Sequence, residues 1–281
     1  MEKLRIFVCA HKSDPSTRNT LPFVPIQGGK ELHKDIDLGY ICDNTGDNIS
    51  NKNNKYSEWS VIYWIWKNVK DVEYIGLNHY RRYFGIDINE SNIDKLMKGK
   101  DAIVIKQSNF SKKQRIDDLI KMTSLEDAYI YLDTLLSMRC EYEKQIVDYY
   151  YNSRDSVPYS MFVMRKSLFD EFCNFIFPVL FESEKRIRDH GYSRQQRTMG
   201  YFGEYSLGLF LHCRNLKSYK VPLLTTINKE KSILNKVKIL VHSTCYRIMD
   251  RFSRTPKHFI VPECLYPGLK QDSILLRYFK D

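Results

Sequence analysis

Two adjacent arginines flanked by aromatics close a run that opens like a strand: Glu73-Tyr74-Ile75-Gly76-Leu77-Asn78-His79-Tyr80-Arg81-Arg82-Tyr83-Phe84. Arg81 and Arg82 offer planar forks of N–H donors, which suit phosphate oxygens better than lysine does. Tyr80 and Tyr83 can stack on a base or cover a guanidinium face. The structural alternative is that the arginines pair with the nearby acids Asp87 and Glu90 at the rim of a sheet. A carboxylate with a different task stands in the run MGYFGEYSLGLF, where Glu204 is set among apolar residues and glycines. An unpaired acid there is costly. Either Glu204 accepts a proton in a reaction, or it forms a buried pair with Arg197 that fixes a helix.

Other polar residues cluster in DNTGDNISNKN, where Asp43, Asp47, Asn48, Ser50 and Asn53 have the side chains that recognise sugar or ribose hydroxyls. The same side chains can serve only to tie down their own loop. His11 and Lys12 follow the first apolar run and either reach the same place or face solvent. One Asp-x-Asp occurs, Asp35-Ile36-Asp37, inside a turn-rich segment, and reads as solvated loop carboxylates rather than a metal site. Seven cysteines are scattered without a C-x-x-C pair, so free thiols are expected and no metal.

The elements that must position these groups follow from the apolar patterning. Residues 4–10 (LRIFVCA) read as a buried first strand, EYIGL as a second, DAIVIK (101–106) as a third and YSMFVMRK as a fourth. Between them, residues 14–56 read as irregular, and Ser57 is expected to cap a helix running to Val69. Further helices are expected over about 124–151, from Ser167 through a Pro178 kink or break, and over about 200–213. Strands alternating with helices give an α/β fold with a mostly parallel central sheet. Ligands in such sheets bind beyond the carboxyl ends of the strands, which brings the loop at AHK, the loop at NHYRRYF and the DNTGDNIS segment to one place.

The chain of 281 residues is 43% hydrophobic and carries a net charge of +10, unevenly spread. Residues 214–281 hold 14 Lys/Arg against 5 Asp/Glu. Within them Leu234, Val237, Val241, Cys245, Ile248 and Phe252 recur at helical spacing opposite Lys236, Arg247 and Arg254, the pattern of an amphipathic basic helix. It is expected to pack on the domain and to adsorb weakly to an anionic membrane. Tyrosines spread over apolar elements, with no RNA or DNA motif beside the basic tail, speak against a nucleic-acid partner. No apolar run approaches the roughly 20 residues of a membrane span, and the first residues lack a signal-peptide core, so the cytoplasm is the expected location, with peripheral contact at the inner face of its membrane.

The runs GDNISNKNNKYSEWSVIYWIWKN, YIGLNHYRRYF, SMFVMRKSLFDEFCNFIFPVLFE and RTMGYFGEYSLGLFL, in this order, resemble a family of bacterial glycosyltransferases encoded in capsular and exopolysaccharide gene clusters and catalogued as a domain of unknown function. The resemblance spans about residues 4–225. Trp59 departs from it where a leucine is usual, and Tyr159-Ser160 where an asparagine is typical. It implies a single nucleotide-sugar-binding domain of the GT-A type (1–225), to which the patterning above adds a basic, partly helical extension (226–281). The implied activity is transfer of a hexosyl unit, galactofuranosyl in some members, from a UDP-sugar to a growing, lipid-linked or surface oligosaccharide. In the place of the metal-binding Asp-x-Asp usual in that architecture this chain has NHYRR. Arg81 and Arg82, with His79 and Tyr80, are therefore expected to hold the diphosphate without Mn²⁺ or Mg²⁺, and no other cofactor is implied. His11, Lys12, Asp47, Asn48, Ser50 and Asn53 complete the expected donor side. Glu204 is the expected base of an inverting reaction, with Arg197 and Met161 in support of the acceptor side. A non-catalytic nucleotide- or sugar-binding module is the alternative.

Overall fold

A computed structural model describes residues 1–106, 115–153, 156–189, 195–226, 244, 261 and 263–279. The first strand, β1 (Glu2–Ala10), is the axis of the sheet: Leu4, Ile6, Phe7, Val8 and Ala10 are all fully buried. Such continuous burial is what a strand covered on both faces requires. Alongside it run β2 (Phe23–Gln27) and then β3 (Ile41–Cys42) on one side, and β4 (Val72–His79) on the other, all parallel. A short β5 (Arg82–Phe84) turns back from β4, while β6 (Ala102–Ile105), β7 (Phe162–Arg165), β8 (Ser218–Val221) and β9 (Leu223–Thr225) complete nine strands among the described residues. The main path reads β3-β2-β1-β4-β7-β6-β8. Along it only β7 is reversed, antiparallel to both β4 and β6.

That reversal positions the site. Because β7 enters where β4 ends, with Phe162 opposite Leu77, the turn that leads into it lies beside His79. The expected strand began at Tyr159. Instead Pro158–Ser160 form a tight turn in which Tyr159 and Ser160 have φ of 70° and 51°, left-handed values that cost a non-glycine residue roughly 1 kcal/mol or more each.

β2 and β3 fall inside the segment read from the sequence as irregular. Pro25 argued against a strand there, yet β3 pairs only with Ile26 and Gln27, so that side of β2 is open at residue 25 and proline is tolerated. The helices of the described residues include α1 (Asn53–Tyr56), α2 (Trp59–Asn68), α3 (Ile93–Leu96), α4 (Arg115–Met122), α5 (Leu125–Met138), α6 (Glu143–Tyr151), α7 (Lys166–Arg186) and α8 (Thr198–Cys213), and a short one covers Ile274–Phe279. Ser124 caps α5 by accepting from the Asp127 amide, as its residue type dictates. The stretch expected as one helix over 124–151 is interrupted by a 3₁₀ turn at Cys140–Tyr142.

α7 runs unbroken through Pro178. A proline removes the helical hydrogen bond to the carbonyl four residues back. Here the Arg139 guanidinium takes over, donating to the Asn174 carbonyl at 2.8 Å and to the Phe175 carbonyl at 2.9 Å. A large apolar core fills the face of the sheet covered by α2, α5, α7 and α8, and a smaller one, with Leu4, Ile6, Tyr74, Ile93 and Met161, fills the other. Val261, Leu269 and Leu275, from beyond the sheet, are buried in the large core. The basic helix expected over 231–254 lies, but for Thr244, outside the described residues.

Candidate active site

The carboxyl ends of β2, β1 and β4 open into a cleft of about 790 Å³. Its strand wall carries Cys9, His11, Gly28, His79, Tyr80, Arg81 and Arg82. The facing wall comes from Asn53 to Glu58, from Tyr159, from the end of α7 and from the start of α8, including Arg197, Thr198 and Glu204.

The two expected arginines have different situations. Arg81 donates to Asp14, with Nε and a terminal nitrogen each 2.6 Å from Oδ2, and lies over the Tyr80 ring. Asp14, not Asp87 or Glu90, is thus its partner. Hydrogen bonds from Ser16 and then from Arg81 hold the Asp14 carboxyl down at about 2. Arg82 rests its guanidinium 4.7 Å from the centre of the Tyr159 ring and makes no ion pair among the described residues. Arg197, a lining residue of the cleft, donates from Nε to the Ser57 hydroxyl at 3.0 Å and makes no carboxylate ion pair among the described residues. Arg82 and Arg197 are therefore the guanidinium groups with charge to spare for an anion.

At the foot of the cleft the backbone of one residue is gripped on both sides. The Tyr159 N–H donates to Glu204 Oε1 at 2.9 Å, and the Tyr159 carbonyl lies 2.7 Å from His79 Nε2, which donates to it. These two bonds hold the left-handed turn in place. Burial pushes the His79 imidazole below its usual range, against the pull of that carbonyl, so the ring is neutral near pH 7 and its Nε2–H is the donor. Burial likewise raises the Glu204 carboxyl; the Tyr159 amide opposes this, and the neighbouring Glu58 adds to it.

From the sequence Glu58 reads as an acid in a helix first turn, favoured there by the helix dipole, and has no part in the expected chemistry. The residue lines the cleft, and loss of water raises its carboxyl, with its own amide, Arg197 and Arg82 pulling the other way. The expected Ser57 cap is not made. Ser57 has φ 52° and uses its hydroxyl on Arg197, while α2 starts one residue later without a side-chain cap. The signal in the sequence was the crowding of Tyr56, Trp59 and Trp64 around a lone acid, which leaves that acid an apolar neighbourhood.

The remaining expected residues divide. His11 lines the cleft edge-on to Tyr80, its imidazole lowered by burial and by Lys12, Arg81 and Arg197. Asn53 lines it too, bridging the Ser57 carbonyl and the Ser60 hydroxyl at 2.8 Å each. Lys12 is exposed and is not among the lining residues. Asp47 is tied to Tyr63 and Asn68 of α2, and Asn48 to Gly46 and Ser50 within its own loop. Ser50 is buried on Asp43, whose carboxylate also receives the Gly29 and Lys30 amides and the Ser60 hydroxyl. That fully engaged carboxylate folds the DNTGDNIS segment in on itself, away from the cleft. Met161 is buried in the smaller core, and Arg197 bonds Ser57 rather than Glu204. Among the described residues no three His, Cys, Asp or Glu side chains gather as a metal-holding group, and Asp37 accepts from the Gly39 amide. No helix of the described residues is long and apolar enough to cross a membrane.

A family profile described as "Domain of unknown function (DUF4422)" matches residues 5–215. No curated protein matches the chain. Among solved structures, the apo structure of the WbbM bifunctional glycosyltransferase is similar at a TM-score of 0.71 and 24% identity. The match covers 81% of this chain and 46% of that one, so this chain spans about half its length. The likeness is one of fold: the same mixed α/β arrangement around a central, mostly parallel sheet.

Proposed function

Since the chain belongs to the family described as Domain of unknown function (DUF4422), and the match encloses every residue lining the cleft, we propose that it is a glycosyltransferase taking a sugar from a nucleotide donor. The observation that carries this reading is the joint presence in the cleft of two guanidinium groups, Arg82 and Arg197, that make no carboxylate ion pair among the described residues, and a carboxyl with raised proton affinity, Glu204. The glycosyltransferase fold neighbour supports the same reaction class.

The cleft then works as follows. Arg82 and Arg197 hold the donor's diphosphate and take up the charge it gains on leaving, the task a divalent metal performs in other transferases. Arg81, fixed on Asp14, orients Tyr80 and His11 at the nucleotide end. Glu204 Oε2, the oxygen not bound to Tyr159, accepts the proton of an acceptor hydroxyl. The acceptor oxygen bonds to the anomeric carbon from the face opposite the diphosphate, the carbon–phosphate-oxygen bond breaks, and the nucleoside diphosphate departs, with inversion. The sugar read from the family resemblance is a hexosyl unit carried on UDP, galactofuranosyl among the candidates, and the acceptor a lipid-linked or surface glycan. Weak contact of the basic segment 226–281 with an anionic membrane would bring such an acceptor within reach.

Calorimetric titration with UDP, GDP and UDP-hexoses, with Mn²⁺ and with EDTA, tests the reading. The expected result is UDP binding that persists in EDTA and weakens on the order of a hundredfold or more in Arg82→Ala/Arg197→Ala, as loss of two charge-assisted contacts requires. An absolute requirement for metal would refute the diphosphate assignment. Nucleotide binding without sugar transfer to any glycan would leave a non-catalytic module.

A further inference from the structure

Two glycines on one face of α8 govern what can stand beside Glu204. At Gly200 a Cβ would sit 3.1 Å from the Ser57 hydroxyl, and at Gly203 one would fall 2.1 Å from the Trp59 indole. Residues 57 and 59 are thus pressed against the helix on either side of residue 58, and residue 203 is next to Glu204 in the chain. The Trp59 ring is fully buried between this helix face and Phe172 and Phe177.

The backbone pays for that placement in strain. Ser57 holds φ at 52° and is fixed on every side: its amide donates to the Asn53 carbonyl, its carbonyl accepts from Asn53 Nδ2, and its hydroxyl accepts from Arg197. A strained serine clamped by two cleft residues, followed by a wedged tryptophan, leaves Glu58 directed at the cleft, of which it is a lining residue. Capping α2 would have needed none of this, and Glu58 does not cap it.

We propose that Glu58 is the partner carboxyl of Glu204, a positioning residue that shares a proton with it and so tunes it to accept the proton of an acceptor hydroxyl. The inference rests on the glycosyl-transfer reading for its chemistry, though not for the pairing itself. Two carboxyls facing one desolvated space cannot both ionise cheaply, and their protons leave in two coupled steps. The other groups around them are the Cys9 thiol from β1, neutral His79 from β4, Arg82 from β5, Arg197 ahead of α8, the Tyr159 amide and the Ser160 hydroxyl, which lowers the Glu58 carboxyl. The guanidiniums favour one negative charge on the pair. Burial disfavours the second. In turnover the acceptor's proton completes the half-filled pair, and its release to solvent after the nucleoside diphosphate leaves restores the starting state.

The test is side-chain carboxyl titration by NMR of the unliganded full chain with ¹³C-labelled glutamate, using Glu204→Gln to assign Glu204. In Glu58→Gln the Glu204 midpoint is expected to fall, because the like charge that raised it is gone, and in Glu204→Gln the Glu58 midpoint should fall in turn. A Glu204 midpoint unchanged by Glu58→Gln overturns the proposal, as does an unchanged Glu58 midpoint if only Glu204→Gln folds. With a working transfer assay, the acid limb of the Glu58→Gln rate profile should move to lower pH and kcat fall roughly tenfold to a hundredfold, with UDP affinity nearly kept. An unshifted limb with full kcat also overturns it. Absence of transfer in the wild type would remove the function and leave the titration to decide the pair.

Discussion

At the residue scale, the charged groups of the cleft are sorted by who already has a partner. Arg81 and Asp14 form a closed unit, and its proton linkage has a definite sign. Asp14 is held at about 2, below the ordinary carboxyl value, so it contributes stability that is present above about pH 4 and is lost as the pH falls through about 2. Asp14→Asn should therefore flatten the acid side of the stability curve between those values, and thermal melts of both proteins across pH 2–6 check it; parallel curves would show that the bonds from Ser16 and Arg81 to the ionised Asp14 carboxyl contribute nothing net to stability. The arginines, His79 and Glu204 could be picked out from residue type and apolar context. Arg81's partner could not, since Asp14 is 67 residues away and only the return of β4 alongside β1 brings the two together. Glu58 was hidden for the opposite reason, because an acid in a helix first turn already has an ordinary explanation.

Elements show a similar division. β1, β4, β6, α7 and α8 are legible because burial on both faces, or on one helical stripe, writes itself into consecutive or three-four spaced apolar residues. β2 was masked by Pro25, and the reversal of β7 leaves no local mark, since direction is decided by what lies on either side. The close approach of α8 to α1 and α2 depends on Gly203, where the Trp59 indole occupies the place of a side chain. Trp59 stands where the resemblance has leucine, and Gly203 is where its extra volume goes. Gly203→Ala should cost about 1–3 kcal/mol by overpacking despite alanine's better helix propensity, and chemical denaturation measures it. If the loss is real, Gly203→Ala with Trp59→Leu should recover most of it, because the smaller side chain vacates the space.

For the whole molecule, the chain beyond the sheet is part of the folded body. Arg186, at the end of α7, joins Asp133 at 2.5 Å and Thr134 at 2.6 Å, and it also reaches the Gly268 carbonyl, while the Lys270 amide donates to Asp133. Truncation after residue 260 would expose the apolar surface under Val261, Leu269 and Leu275 and leave the Asp133–Arg186 pair more open to water. It should lower the melting temperature by several degrees. An unchanged melting temperature would mean that this packing contributes nothing net. The basic character of residues 214–281 is plain in the sequence, whereas their anchoring on α5 and α7 is not, because three apolar residues without a period carry no address.

The cleft walls also have an uneven origin along the chain. Residues 9 to 82 supply the strand wall and the Asn53–Glu58 segment, residues 159 to 204 supply the rest, and none of the lining residues comes from the stretch between. Nature and the engineer alike can therefore recombine such genes within α5 without cutting through either wall. A chimera joined there inherits its nucleotide-facing half from one parent and its Glu204-facing half from the other. Among the residue pairs that cross the seam and must then be matched by hand are Glu58 with Glu204, Ser57 with Arg197, His79 and Arg82 with Tyr159, and Trp59 with Gly203.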